Sequence, residues 1–124
     1  MGNLSPHFST SEFACHCGCG LGTRVTDISS LLVDLLERIR AEIGRPIKIT
    51  SGVRCPIWNA RSGGVSSSPH LRGTAADIFV SGGEHRYAIV RAALANGAEG
   101  VGVAKTFIHV DMDEEVQRPM LWTY

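Results

Sequence analysis

Ser68-Pro69-His70-Leu71-Arg72-Gly73-Thr74-Ala75-Ala76-Asp77 and, further on, Phe107-Ile108-His109-Val110-Asp111 are the two most informative stretches of the chain. The second alternates as a strand does. Its polar residues His109 and Asp111 are two apart and point to one face, while Ile108 and Val110 point to the other. Asp77 sits in a similar run, between Ala76 and Ile78, which would face a core. His70 lies in the loop just before that run, and Gly73 permits the chain to turn back over Asp77. Two strands and a loop can therefore bring two imidazoles and a carboxylate together. That is a ligand set of hydrolytic zinc sites, in which water takes the fourth position and its pKa falls from about 15.7 towards about 7. Any one of the three could be a surface histidine or a capping aspartate. The spaced set fits that alternative poorly.

Working outward, Ile28, Leu31, Leu32, Leu35, Leu36, Ile39 and Ile43 recur at helical spacing behind Asp27, the expected cap. Gly44 and Pro46 end that helix. Ile47 to Ser51 alternates as a short strand, and Pro56 to Arg61 begins a short helix. Glu84 to Ala95 reads as the second long helix, with Ile89, Val90, Ala93 and Leu94 inward and Asn96-Gly97 ending it. Gly100 to Ala104 and Phe107 to Met112 read as paired strands. Near the start, Ser9 to Phe13 forms a capped short turn. The expected class is α+β: a small, mostly antiparallel sheet carrying the site, with two main helices packed on it.

The 124 residues fit one domain spanning 1–124, and 44% hydrophobic residues suffice for a core. Twelve basic residues balance twelve acidic ones, so bulk charge draws the chain neither to nucleic acid nor to a membrane. Apolar runs fall short of the ~20 residues of a membrane span, so no membrane insertion is expected. The start has no basic region followed by an apolar signal core, and cytoplasmic synthesis is expected. Cys15, Cys17, Cys19 and Cys55 leave three readings open: free reduced thiols, a disulfide to Cys55, or a second metal held by two of them with Cys55 and a histidine. The Cys-x-Cys-x-Cys spacing is tighter than the usual zinc knuckle.

The pattern Ser-x-His-x-x-Gly-x-Ala-x-Asp at 68–77, with His-Val-Asp at 109–111, resembles the M15 group of zinc D,D-peptidases. That group includes D-Ala-D-Ala carboxypeptidases, murein endopeptidases and phage endolysins. Ser51-Gly52-Val53-Arg54-Cys55-Pro56, with Asn59 and Gly63-Gly64 following, resembles the group's stretch before its first zinc ligand, and Phe13 and Trp122 extend the likeness. The resemblance implies the Hedgehog/D,D-peptidase-like fold, with His70, Asp77 and His109 as ligands of Zn2+. It implies that Arg54 steadies the substrate carbonyl or its oxyanion, as a forked guanidinium can. It further implies that Ser68 binds substrate and that the substrate is a peptidoglycan peptide. A monomer is expected. Release to the wall would be of the holin type or as a virion component.

The resemblance is weakest at the general base. Several members of the group carry an acidic residue or a histidine three positions before the last zinc-binding histidine, where this chain has Thr106. A threonine cannot take a proton from water near neutral pH. Asp111, on the strand face of His109, is the expected substitute, and the competing reading makes it the acceptor that orients the imidazole. The expected function is hydrolysis of peptidoglycan stem peptides or crosslinks by water on zinc. The alternatives are a zinc-binding structural or virion module with little turnover, and a metal-independent binding domain, against which the intact ligand set argues.

Overall fold

The computed structural model describes residues 2–124. Its main elements are α1 (Ser30–Ile43), β1 (Ile49–Ser51), α2 (Pro56–Arg61), β2 (Ala75–Phe79), α3 (Gly83–Ala95), β3 (Gly100–Val103), β4 (Phe107–Asp111) and β5 (Met120–Thr123). Short 3-10 turns at Thr10–Glu12, Val25–Asp27 and Pro69–Arg72 link them. The fold is α+β, as expected.

The strands form one sheet in the order β1-β2-β4-β3-β5. Every pairing is antiparallel except β3 with β5. Alternation along the central strands divides the sheet into two faces. Ala76 and Ile78 of β2, Ile108 and Val110 of β4, and Val101 of β3 are buried in the core with Leu32, Leu35, Leu36 and Ile39 of α1 and Ile89 of α3. The opposite face carries Asp77 directly across from His109, His109 across from Gly102, and Gly102 across from Trp122. One row of residues thus crosses four strands on the face away from the core.

Local chemistry sets the element ends. Helix α1 begins two residues later than the apolar spacing suggests. Ser29, not Asp27, is its cap, with Oγ accepting from Leu32 N at 3.4 Å. Asp27 instead closes the preceding turn, accepting from the backbone N–H groups of Gly22 and Arg24 at 3.0 and 3.1 Å. Gly44, at φ 72°, ends α1 in the left-handed conformation. Leu31 and Leu94, both expected inward, are exposed, and Ala92 takes the inward place on α3. In the first turn, Ser9 N–H donates to Glu12 Oε2 at 2.8 Å, so the expected cap forms. Strand β5 was not expected, since Met120 to Thr123 is too short and too exposed to alternate visibly.

Candidate metal centre and cleft

His70 stands on the turn Pro69–Arg72, which Ser68 caps by accepting from His70 N at 3.2 Å. Gly73 follows at φ 70°, so the turn-back that places His70 over β2 uses a left-handed residue, as expected. A Cβ at Gly73 would also collide with the Asp27 carbonyl. His70 and His109 are both buried, with ring centroids 5.1 Å apart.

The two rings are held from behind. His70 Nδ1–H donates to the Gly52 carbonyl at 2.6 Å, which fixes the tautomer and leaves Nε2 facing Asp77 Oδ1 at 3.2 Å. His109 Nε2–H donates to Asp111 Oδ2 at 2.6 Å, leaving Nδ1 facing the same Asp77 oxygen at 3.3 Å. His70 Nε2, His109 Nδ1 and a carboxylate oxygen of Asp77 therefore converge on one point. Ligands about 2.0–2.1 Å from a tetrahedral zinc stand about 3.4 Å apart, close to these separations. Each nitrogen turned inward is the one its hydrogen-bond partner leaves free to ligate. The donor set fits a divalent cation in chemistry and spacing.

Electrostatics follow the same contacts. Burial would raise the Asp77 carboxyl, but hydrogen bonds and positive charge from His109 and His70 hold it well below the usual carboxylate range. Burial likewise opposes protonation of His109, yet its bonds to Asp111 and Asp77 and their charges raise the imidazole above its ordinary value. Asp111, fully buried, is lowered to about 2 because His109 and Arg118 outweigh its desolvation.

Asp111 does not face the cleft. One oxygen takes His109 Nε2–H, and Arg118 grips both, Nε to Oδ1 at 2.9 Å and Nη2 to Oδ2 at 2.7 Å. Its backbone neighbour Asp113 N–H also donates to Oδ1, at 3.3 Å. These contacts are those of the acceptor that orients the His109 imidazole, the competing reading of Asp111, rather than of a group turned to the cleft. The shared strand face put it beside His109, but behind the ring. Thr106 is exposed at the end of the β3–β4 turn and is not among the residues lining the cleft.

The cleft in front of the three donors encloses about 530 Å³. Arg54 lines it with 12% of its side chain exposed. Its guanidinium is fixed by Ser51 Oγ at 3.1 Å, Asn59 Oδ1 at 3.3 Å and Asp77 Oδ2 at 3.2 Å. Asn59, buried, ties this group to the loop at 63–67 by donating to the Val65 carbonyl at 2.8 Å. Ser68, also buried, lines the cleft beside His70. Trp122 packs its ring 5.1 Å from His109, and Arg118 lies 5.1 Å over the Trp122 ring. Among the cleft-lining residues, Asp77 is the sole carboxylate.

Three contributors are not visible in the sequence alone. Arg118 lies outside any recognised pattern, and only the return of β5 brings it to Asp111. Gly100 and Gly102 looked like ordinary strand residues, but a Cβ at Gly102 would come within 2.6 Å of Trp122 Nε1, and one at Gly100 within 2.6 Å of Arg118 Nε. Two glycines two apart in a strand that pairs on both sides were the available signal.

A sequence profile of the family Peptidase M15 matches residues 6–111, which contain every donor of the converging set. The chain belongs to the Peptidase M15 family. Members are metal-dependent peptidases, so a metallopeptidase acting on a peptide-type substrate is the coarse assignment. No curated protein matches the chain. Arg118 and Trp122 lie beyond the matched residues, Trp122 on β5 and Arg118 just before it. No described helix is long and apolar enough to cross a membrane.

Proposed function

We propose that this M15 peptidase is a zinc enzyme that hydrolyses peptide bonds of peptidoglycan, in stem peptides or crosslinks, with its catalytic domain spanning 1–124. The observation that carries the proposal is the pair of buried imidazoles, each bonded from behind and each turning its free nitrogen to one Asp77 oxygen at the floor of a cleft. His70, Asp77 and His109 would hold the ion. When bound, it supplies Lewis-acid activation of the scissile carbonyl and of a water nucleophile.

The chain's own residues do the rest. Gly52 and Asp111 orient the imidazoles. Arg54 holds the outer oxygen of Asp77 and, with one further hydrogen on each Nη, offers donors to an oxygen on which negative charge develops. Ser68 presents a hydroxyl hydrogen to the cleft, since its Oγ already accepts from His70 N. Trp122 and Phe107 give an apolar wall that excludes water beside His109. Asp111 is a positioning residue in this scheme.

The second reading, a metal-binding module of the same fold with little turnover, draws on one observation: Asp77, already committed to Arg54 and the two imidazoles, is the sole carboxylate lining the cleft. Purified murein incubated with the zinc-loaded protein separates the two. Release of stem-peptide fragments that stops with chelator and returns with zinc supports the peptidase. Intact muropeptides by mass spectrometry, with a full complement of zinc in the protein, select the module. The masses of released fragments also distinguish carboxypeptidase from endopeptidase cleavage.

A further inference from the structure

A second constellation lies outside the cleft. Sγ atoms of Cys15, Cys17, Cys19 and Cys55 all lie within 4.8 Å of one another, and all four thiols are free. Cys15 Sγ is 3.4 Å from Cys17 Sγ, and Cys17 Sγ is 3.5 Å from Cys55 Sγ. A tetrahedral zinc with sulfur ligands at about 2.3 Å spaces its sulfurs about 3.8 Å apart. The observed cluster needs only a slight expansion to take the ion. His16, the nearest candidate for a mixed ligand set, packs its ring against Trp58 instead.

The backbone shows how so tight a spacing succeeds. Gly18, Gly20 and Gly22 all have positive φ, at 80°, 92° and 88°, and wind residues 15–22 into a closed loop. Cys15 N–H closes it onto the Leu21 carbonyl at 2.8 Å. Alternate residues of that loop deliver the three sulfurs. Two backbone donors already address the sulfurs, Cys55 N–H to Cys15 Sγ and Trp58 N–H to Cys55 Sγ, both at 3.4 Å. Such bonds favour the thiolate form, which is the ligating form.

We propose that Cys15, Cys17, Cys19 and Cys55 form a tetrathiolate site for a structural zinc ion, separate from the His70-Asp77-His109 centre. Each thiol gives up its proton to solvent as it coordinates. All four tetrahedral positions are filled by protein, so this ion has no open position for substrate or water. Its work is mechanical. It clips the amino-terminal segment to Cys55, next to Arg54, while Phe13 packs on Gly52 and its carbonyl accepts from Val53 N–H at 2.8 Å. The backbone that presents the Gly52 carbonyl to His70 and carries Arg54 is thereby held from outside the cleft. Soft thiolate donors select zinc over the harder divalent ions.

Elemental analysis of protein purified under reducing conditions, without added chelator, tests the assignment independently of any peptidase activity. The His109→Ala protein should retain about one equivalent of zinc, and the unsubstituted protein treated with an organomercurial should release that equivalent to a chromophoric chelator as its thiols are capped. Cobalt exchanged into His109→Ala should show the intense sulfur-to-cobalt charge-transfer bands of a tetrahedral thiolate. Cys17→Ser and Cys19→Ser, each at an exposed position, should lose the bands and most of this zinc. Zinc absent from His109→Ala, iron found in its place, or a titration of the unfolded, metal-stripped protein that yields fewer than four reactive thiols would each overturn the proposal. The mercurial experiment uses the unsubstituted chain, so misfolding of a variant cannot obscure the result. Failure of the His-Asp centre alone would leave the cobalt–thiolate spectrum intact.

Discussion

At the scale of single residues, Asp111 concentrates the consequences of burial. It has no exposed surface, accepts from His109 and is gripped by Arg118. Asp111→Asn keeps an acceptor for the imidazole but loses the charge that strengthens it. Metal affinity should fall about 10- to 100-fold, and excess zinc should restore hydrolysis. A proton-transfer role predicts the opposite, full metal with no turnover, so zinc titration followed by rate measurement decides between them. The same carboxyl sets an acid limit on stability. Its folded pKa of about 2 lies below the unfolded value near 3.8. The stability it contributes, about 2 kcal/mol, is thus present above pH 3.8 and lost as pH falls through 2. Melting curves of the metal-free protein across that window should show the loss, and Asp111→Asn should flatten it. Arg54→Ala should lower turnover on the order of 10²- to 10³-fold if its donors act on the transition state. An unchanged kcat on muropeptides would confine Arg54 to steadying Asp77.

At the scale of elements, β5 supplies a wall of the cleft and β3, paired beside it, leaves room for that wall. Gly102 leaves the space that the Trp122 indole occupies against His109. Gly102→Val should push the indole out, costing about 1–3 kcal/mol and red-shifting the emission of Trp122 in a Trp58→Phe background. Unshifted emission would mean that β5 gives way as a unit and the wall is softer than its pairing suggests. Helix α1 carries a different kind of information. Leu36 on its inner stripe is fully buried, so Leu36→Ala should cost about 2–5 kcal/mol in chemical denaturation without altering metal stoichiometry. That separation follows from the sheet, whose one face holds the core and whose other face holds the donors.

For the whole molecule, metal and fold are linked. Zinc that binds the folded chain and not the unfolded one stabilises it by about 2.7 kcal/mol when free zinc is 100 times Kd. The melting temperature should therefore climb with zinc concentration, and His70→Ala should blunt the rise. A midpoint indifferent to zinc and to chelator would show that the donors are not loaded. Because metal displaces protons, the stabilisation should weaken at acid pH, and it should do so early, since the His109 imidazole is raised above its ordinary value. Thermal scans with and without zinc from neutral pH downward measure that difference.

The local order of residues determined much of this protein. Alternation placed Asp77, His109 and Asp111 on one strand face, apolar spacing marked α1 and α3, and Gly73 marked the turn that carries His70, because each depends only on backbone periodicity and near-neighbour sterics. Tertiary structure decided what side-chain direction cannot tell, namely distance and occupancy. Sharing a face with His109 was legible for Asp111, but its place behind the ring depends on Arg118, delivered by β5 from outside any local pattern. Arg54 was legible as a cleft residue, whereas its hold on Asp77 needed the pairing of β1 with β2. The cysteines show the same division. Their spacing is tighter than that of a usual zinc knuckle, and three left-handed glycines with a contact 38 residues away bring the four sulfurs together. Periodicity is a property of the chain, while the meeting of residues far apart in sequence is fixed only when the core closes.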